Sequence, residues 1–423
     1  MKRSTLAGLG LALAVGVAPL AQSQAADLTI FHSWSNESEI KALNVFVDAL
    51  KAKGNTITEL AVPHEQAEGG SPIVALVIAG TPPNIFLTGN ADIYRDIRDR
   101  GLGQTVGELF DKIGATENFA PPVREAIKID GEVRKIPSGI HIDGMLYYNM
   151  HVAEDAGVDP TQWTSIDDMF ADMDKVKDAG YNFMSMGGNT FQAGYLTHAL
   201  IAAVGGPDVY NKFYRVGPDG KPDASVFDEQ GLRDAIATFR RITSQADEGW
   251  VNRAWNESTN MVISGKTLMH YHGDWMKGQW KANNKVLGED YNCIILPGTK
   301  ALSVTVDAMG ILGGDPVSPE QLDAEFQMAS IVVDPVKNAE FSFWKGSTPV
   351  RTDAPADKLD ACNKLVLDSL QKDNFWVLNP YYISDSDWIN SVWNTMYTFQ
   401  GDPNMTVDDV IDQLRGEYDA IFG

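Results

Sequence analysis

Strand-like and helical segments alternate along the first hundred residues, and this alternation is the feature that most restricts the possible folds. Residues 28–31 are a short apolar run, and residues 37–53 carry apolar side chains at helical spacing. A second helix ends at Gly80, a strand follows over residues 85–87, and a short helix covers residues 92–98. The alternation predicts a layered α/β fold with a largely parallel sheet, in which strand-to-helix loops form a ligand crevice at one edge.

The rest of the chain predicts a second lobe. Residues 126–136 indicate a β-hairpin, and an apolar strand follows over residues 144–149. From there to about residue 290 the pattern is mostly helical, with a strand at 267–271 and a helix capped by Asn256. Short strands at 294–296, 304–306 and 309–312 precede a helical tail. We predict two lobes that exchange segments, one from residues 26–139 and 306–350, the other from residues 140–305 and 351–423.

The first twenty-five residues predict the compartment. Lys2 and Arg3 precede an apolar stretch that is too short to span a membrane, and a small-x-small cleavage site ends at Ala25. We therefore predict a signal peptide over residues 1–25, with cleavage after Ala25 or the adjacent Ala26, and a periplasmic product. In an oxidising compartment, Cys293 and Cys362 are predicted to form a disulfide, although two separate buried thiols remain the alternative.

Charge and motifs exclude several classes of function. The chain has 34 basic and 57 acidic residues, a net charge of −23, so nucleic acid and anionic membranes are poor partners and a soluble monomer is expected. No phosphate-binding loop, nucleophile elbow or dinucleotide fingerprint is present. His270 and His272 share a strand face, but no third ligand is nearby, and a polar strand end beside a cleft is the better interpretation. We predict no metal, no cofactor and no catalytic residue.

Tryptophans occur at the connections between strands and helices. Trp34 follows the first strand, Trp255 precedes a helix, and Trp275 follows a strand directly. Tryptophan is mostly buried wherever it occurs, but three at the positions where α/β folds bind ligands indicate a binding site. A flat indole ring can cover the C–H face of a pyranose, while nearby carboxylates such as Glu39 and Asp274 accept hydrogen bonds from hydroxyls. Trp34 and Trp275 are therefore predicted to be stacking platforms outside the core, with few packing partners.

Several segments carry a family resemblance in their order along the mature chain. Together they resemble the extracytoplasmic (family 1) solute-binding proteins of carbohydrate ABC transporters, most closely the glucose/mannose-binding-like branch. These segments are residues 32–39 (HSWSNESE), 79–83 (AGTPP), 136–141 (IPSGIH), 261–266 (MVISGK), 273–275 (GDW), 296–299 (LPGT) and 345–347 (KGS), together with Trp255 and Asp307.

The resemblance implies a two-lobed periplasmic-binding-protein fold of type II, with lobes joined by a multi-crossing hinge. By similarity, the substrate-binding positions are Trp34, Glu39, His141, Trp255, Asp274, Trp275, Asp307, Lys345 and Asn379. The chain departs from the glucose-binding pattern at three places. Ser33 or Ser35 replaces one of two adjacent tryptophans, Gly89-Asn90 replaces a histidine, and Asn379 replaces another.

The function that follows is capture of a sugar, a monosaccharide such as glucose or a related one, and its delivery to a membrane-embedded ABC permease. Two alternatives remain open: a secreted carbohydrate-active enzyme with two catalytic carboxylates, and a receptor of the same fold for a non-sugar polyol. Closure is expected about a hinge near residues 139–143 and 303–307, with a third crossing near residues 350–352.

Overall fold

The computed structural model describes residues 26–62, 71–313 and 318–423, so the predicted signal peptide lies outside the described residues. The strands are β1 (Asp27–His32), β2 (Thr56–Ala61), β3 (Ile85–Leu87), β4 (Lys128–Ile129), β5 (Glu132–Val133), β6 (Ile136–Ile142), β7 (Met145–Asn149), β8 (Asn182–Ser185), β9 (Thr267–His272), β10 (Tyr291–Ile294), β11 (Leu302–Ile311) and β12 (Trp376–Leu378). The α-helices are α1 (Glu37–Lys51), α2 (Ser71–Ile78), α3 (Ala91–Asp99), α4 (Gly107–Lys112), α5 (Pro121–Ala126), α6 (Met150–Asp155), α7 (Ile166–Ala171), α8 (Met173–Asp178), α9 (Thr190–Leu200), α10 (Pro207–Tyr214), α11 (Gln230–Thr243), α12 (Trp255–Ile263), α13 (Met276–Ala282), α14 (Pro319–Val332), α15 (Pro335–Lys345), α16 (Ala361–Leu370), α17 (Ser386–Gly401) and α18 (Val407–Phe422).

A first sheet contains six strands in the order β12-β11-β3-β1-β2, with β6 paired to β11. β1 runs parallel to β2 and β3, as the alternation predicts, whereas β11 runs antiparallel to β3 and β6. The helical spacing of residues 37–53 produces α1, which buries Leu43, Phe46 and Leu50 in the core of this sheet. The apolar face of α1 is therefore covered on folding, which stabilises the helix beyond its intrinsic propensity.

A second sheet contains four strands in the order β10-β7-β9-β8. Helices α9, α11, α17 and α18 pack together beside it around a second core cluster. This cluster includes Leu200 of α9, Phe239 of α11 and Trp388 of α17. The first core cluster also extends into this sheet, because it includes Tyr147 of β7 and Tyr291 and Cys293 of β10.

The chain passes between the two sheets three times. β6 leads into β7 through Asp143 and Gly144 alone, and β10 leads into β11 through residues 295–301. A Cβ atom at Gly144 would lie 2.5 Å from Cβ of Ala199 and 2.4 Å from the hydroxyl of Tyr271, so a larger residue does not fit at this crossing. After β12 the chain enters α17 of the second core through residues 379–385.

Sheet membership differs from the lobe boundaries expected from the sequence. β6, β11 and β12 all belong to the first sheet, so residues 140–142, 302–305 and 376–378 join it rather than the second sheet. The crossing expected near residues 350–352 falls instead after Leu378, because Val350 and Val366 are buried in the first core. Two short strands expected at 304–306 and 309–312 are one strand, whose register with β6 shifts between Asp307 and Ala308.

Cys293 of β10 and Cys362 of α16 form a disulfide, with sulfur atoms 1.99 Å apart. The bond joins a strand of the second sheet to a helix whose Cys362, Val366 and Leu370 lie in the first core. It therefore crosslinks segments that are 69 residues apart in the sequence and restricts the unfolded chain. Within the described ranges, no helix combines the length and the apolar composition that a membrane span requires.

Candidate solute-binding cleft

A cavity of about 250 Å³ lies between the elements of the two sheets. The segment that links β1 to α1 forms one side, and α9, Trp255 and Trp275 form the other. Seven of the nine predicted substrate-binding residues line this cavity: Trp34, Glu39, His141, Trp255, Trp275, Asp307 and Lys345. The fold thus brings together residues that are more than 300 positions apart in the sequence.

The start of α1 positions Glu39 at the cavity. Asn36 is the N-cap, and its side chain accepts a hydrogen bond from the backbone N–H of Glu39 at 3.0 Å. The Glu39 carboxylate turns back and accepts from the backbone N–H groups of Ser35 and Asn36. This reciprocal capping box holds an acidic side chain near the carboxyl end of β1, where ligands bind in α/β folds.

Lys345 is the last residue of α15, which ends because Gly346 adopts a left-handed conformation with φ +84°. Its ammonium nitrogen lies 3.5 Å from Oε1 of Glu39 and 3.3 Å from Oδ2 of Asp307. Lys345 is almost fully buried, and both carboxylates are mostly buried too. Such a buried cation is retained only because two anions accompany it.

His141 extends this arrangement toward the second sheet. Its Nε2 lies 3.1 Å from Oδ2 of Asp307, and its Nδ1 lies 2.5 Å from Oδ1 of Asp274. Asp274 follows β9 of the second sheet, whereas His141 and Asp307 lie on the paired strands β6 and β11. We call the resulting series the charged row: Asp274, His141, Asp307, Lys345 and Glu39.

The charged row sets the protonation of its members. Burial and the nearby Lys345 ammonium oppose a charge on His141, but the carboxylates of Asp274 and Asp307 outweigh them and raise the pKa of His141 above 6.5. Burial also opposes the charge on Lys345, yet Asp307 and Glu39 raise its pKa. Against its own burial, Asp307 is held well below its usual pKa by Lys345 and His141. Alternating charges therefore stabilise one another along the cavity floor.

Aromatic side chains form another part of the cavity lining and adjoin the charged row at His141, whose ring centroid lies 5.4 Å from that of Trp275. We call Phe191, Tyr195 and Trp275 the aromatic wall; the Trp275 ring centroid lies 6.0 Å from that of Phe191 and 5.2 Å from that of Tyr195. Trp275 is only 7% exposed and also packs against His272. The expectation that Trp275 has few packing partners is therefore wrong, because neighbouring rings surround it while it still borders the cavity.

Trp34 likewise serves both the core and the cavity. Its ring packs against Phe341 with centroids 5.4 Å apart, and it belongs to the first core cluster. The Lys345 ammonium lies 5.5 Å from its ring centroid on the cavity side. The prediction that Trp34 lies outside the core is thus wrong, since only part of its ring borders the cavity.

Two predicted site residues do not line the cavity. Asp274 is buried and reaches the site only through His141. Asn379 is fully buried, and its amide donates to Oδ2 of Asp143 at 2.8 Å. Both side chains lie behind residues that line the cavity and hold other side chains there, so neither touches the cavity directly.

Asp143 is the centre of the hydrogen bonds around Asn379. Its carboxylate also accepts from the hydroxyls of Ser303 at 2.5 Å and Thr305 at 2.6 Å. Burial raises the pKa of Asp143 to about 7 even though these three donors and His141 favour the anion. The Asp143 cluster, which comprises Asp143, Ser303, Thr305 and Asn379, joins the first and third chain crossings to the start of β11, which follows the second crossing.

The sequence did not reveal several wall residues. Asn189, Phe191 and Tyr195 border the cavity on or just before α9, a helix that is buried on all sides and so has no amphipathic pattern. The available signal was Asn189, which caps α9 by accepting from the N–H of Gln192. Asn256 borders the cavity but is not a helix cap, because α12 already begins at Trp255.

The two strand histidines do not form a metal site. His270 contacts Thr259, and burial lowers the pKa of His272 to about 3, which keeps it neutral. Across the described segments, no group of three or more His, Cys, Asp or Glu side chains is arranged to hold a metal ion. The two rings instead pack behind the aromatic wall, with centroids 5.5 Å apart.

These features define a ligand-binding protein of two α/β lobes with a cleft between them. Residues 46–364, more than half of the chain, match the family described as bacterial extracellular solute-binding protein. The chain belongs to this family. Its recognition as an extracytoplasmic solute-binding protein is thereby confirmed, as is the expectation of a binding protein rather than an enzyme.

The chain has relatives that match in sequence and solved structures that match in fold. The chain is 29% identical over 382 residues to a probable sugar-binding periplasmic protein of Brucella melitensis, covering 88% of this chain and 87% of the relative. It is similar to a bacterial solute receptor with an exclusive preference for β-D-galactopyranose, at TM-score 0.78 and 15% identity over 95% of this chain and 100% of that one. It is also similar to the maltose-bound MalE3 of T. maritima, with a TM-score of 0.76 and 15% sequence identity, over 94% of this chain and 100% of MalE3. The predicted two-lobed fold is confirmed.

Replacing Lys345 with methionine tests the charged row. Lys345→Met keeps the length of the side chain but leaves Glu39 and Asp307 facing each other without a cation. We expect a loss of about 3 kcal/mol in the free energy of unfolding at pH 8. Because Lys345 lowers the pKa of Asp307, the stabilisation exists above the unfolded-state pKa near 4 and disappears as the pH falls below it.

The matched control is Lys337→Met at the other end of α15, where the lysine is partly exposed and pairs with Glu340. That change should alter the free energy of unfolding by less than about 0.5 kcal/mol. Denaturant unfolding at pH 8 and at about pH 2, below the unfolded-state pKa, measures both variants. Equal effects of the two substitutions at pH 8 would contradict the proposed coupling.

Proposed function

We propose that this protein is a periplasmic receptor that captures a sugar and delivers it to the permease of an ABC transporter. One observation carries the proposal: the same cavity is lined both by the Trp275 ring and by four residues of the charged row. A sugar ring has apolar C–H faces and a rim of hydroxyls, and so matches both surfaces. The names of the relatives support the same ligand class.

The polar groups of the cleft suit hydroxyls better than a fixed charge. Glu39 and Asp307 are acceptors, and Lys345 and His141 are donors, so a hydroxyl can bond to either kind. A ligand with a fixed charge, in contrast, would lie beside side chains of its own sign as well as of the opposite sign in the charged row. The ligand is therefore neutral and polyhydroxylated.

The size of the cleft favours a single ring. An apolar cavity of about 150 Å³ holds the six carbons of benzene, so one of about 250 Å³ has room for about ten non-hydrogen atoms, close to the roughly twelve of one hexose. A monosaccharide such as glucose or a related sugar fits this space. A polyol of the same length offers hydroxyls but no preformed ring face to Trp275, and is the second candidate.

Calorimetric titration of the mature protein against monosaccharides, disaccharides and polyols tests the proposal. Trp275→Ala should weaken binding of the best sugar about tenfold or more, because it removes the stacking surface. Trp163→Ala is the control, since Trp163 is about equally buried but lies outside the cleft. It should leave the affinity of the folded protein unchanged.

The outcomes separate the functional classes. Binding of a sugar without release of new reducing ends from oligosaccharides supports the receptor. Release of reducing ends at a rate that depends on Glu39 or Asp307 would support the enzyme alternative instead. Binding of polyols but not of sugars would identify the ligand as a polyol.

We also propose that the lobes close about the Asp143 cluster. The supporting feature is that the crossings at residues 143–144 and 379–385 meet there with the start of β11, which follows the crossing at residues 295–301. A ligand that contacts both lobes gains affinity only in the closed form and therefore shifts the population toward it. The periplasmic location, the monomeric state and signal-peptide cleavage after Ala25 are parts of the same proposal.

Small-angle scattering of the mature protein tests closure. Saturating sugar should decrease the radius of gyration, because the two lobes approach each other around the ligand. The control is the same titration with a sugar that calorimetry shows does not bind. An unchanged radius at confirmed saturation would show that closure is not the response to the ligand.

A further inference from the structure

A side compartment of about 90 Å³ adjoins the cleft. It shares Ser33, Trp34 and Asp307 with the main cavity, so a ligand in the cleft can extend into it. Its own walls come from residues 87–90 at the end of β3, from Ala308 and from Tyr382. None of the predicted sugar contacts lies in these walls.

Small residues create this space. Ser33 has a short side chain, and Gly89 has none; a Cβ atom at position 89 would lie 3.1 Å from the hydroxyl of Tyr382. That hydroxyl cannot easily move away, because it donates to the carbonyl of Val306 at 2.6 Å and accepts from its N–H at 2.9 Å. The Tyr382 ring therefore forms a fixed boundary on one side of the compartment.

The volume limits what the compartment holds. A cavity of about 150 Å³ holds the six carbons of benzene, so about 90 Å³ has room for about four non-hydrogen atoms. A second sugar ring is too large. The compartment therefore fits a substituent of a single sugar ring.

The polar groups are placed for an amide. At the junction, Asp307 uses Oδ2 for His141 and Lys345, and its Oδ1 has no hydrogen-bond partner among the residues that the structure describes. In the compartment wall, Asn90 uses Oδ1 to cap α3 by accepting from the N–H of Asp92 at 2.9 Å. Its Nδ2 has no partner within the same described ranges. An acceptor at the junction and a donor beyond it match an N–H group followed by a C=O group.

We propose that the side compartment binds an acetamido group, and that the ligand of this receptor is an N-acetylated amino sugar. The amide N–H donates to Oδ1 of Asp307, the carbonyl accepts from Nδ2 of Asn90, and the methyl group contacts Leu87 and Ala308. This inference rests on the proposed sugar-receptor function and specifies its substrate.

Other substituents match the compartment less well. A hydroxyl in the same position satisfies Asp307 but leaves Asn90 and the apolar walls without contacts. A carboxylate would place a second negative charge beside Asp307. A free amino group pairs with Asp307 but does not fill the space.

Calorimetry of the mature protein with N-acetylglucosamine, glucosamine and glucose tests the inference. N-acetylglucosamine should bind at least about tenfold more tightly than glucose and glucosamine, because two partly buried polar groups gain partners. Asn90→Asp keeps the cap of α3 but replaces the donor by an acceptor. It should weaken binding of N-acetylglucosamine about tenfold more than that of glucose.

Asn189→Asp is the matched control, because Asn189 also caps a helix but borders only the main cavity. Its effect on the two sugars should be equal. Ala308→Val narrows the compartment and should reduce the preference for the acetylated sugar without a change in the donor set. Circular dichroism establishes that each variant is folded.

The possible results are distinct. Tight binding of glucose with no gain from the acetamido group, or an equal effect of Asn90→Asp on both sugars, would overturn the inference and leave the sugar receptor intact. Failure of every sugar to bind would overturn the proposed function and the inference with it. A preference that Asn90→Asp and Ala308→Val both reduce supports the acetamido site.

Discussion

A single buried carboxylate joins two of the segments that connect the lobes to the strand that follows the remaining one. Asp143 lies on the first crossing and accepts hydrogen bonds from Ser303 and Thr305 on β11 and from Asn379 just after β12. Burial of a carboxylate is costly unless donors surround it, and here three do. The strands β6 and β11 are thereby held side by side, which places His141 and Asp307 at the floor of the cleft.

The cleft above this floor is lined by two kinds of surface. The charged row forms one, in which neighbouring charges of opposite sign favour the ionised forms of His141, Asp307 and Lys345. The aromatic wall forms the other and adjoins the row where Trp275 contacts His141. A ligand that is apolar on its faces and polar at its rim satisfies both, which is why the geometry supports a sugar. In our proposal, the side compartment next to Asp307 distinguishes among sugars.

Much of the fold and the site could be predicted from sequence, for physical reasons. α1 carries a clear apolar spacing and a capping box. Trp275 occupies a strand-to-helix connection, and Glu39 lies in the first turn of the helix after another, where such folds bind ligands. Helix α9 could not be predicted as a cleft wall, because it is buried all round and gives no amphipathic signal. The role of Asn379 could not be predicted either, since its partner Asp143 is 236 positions away and only the folded chain brings them together.

A crystal structure of the mature protein with its tightest-binding sugar tests the central claim most directly. The account predicts one sugar ring in the cleft between the lobes, with a face against Trp275 and hydroxyls within hydrogen-bond distance of Asp307 and Lys345. The Asp143 cluster should remain bonded as it is without ligand. A sugar bound elsewhere on the protein, at the stoichiometry that calorimetry measures, would contradict the account.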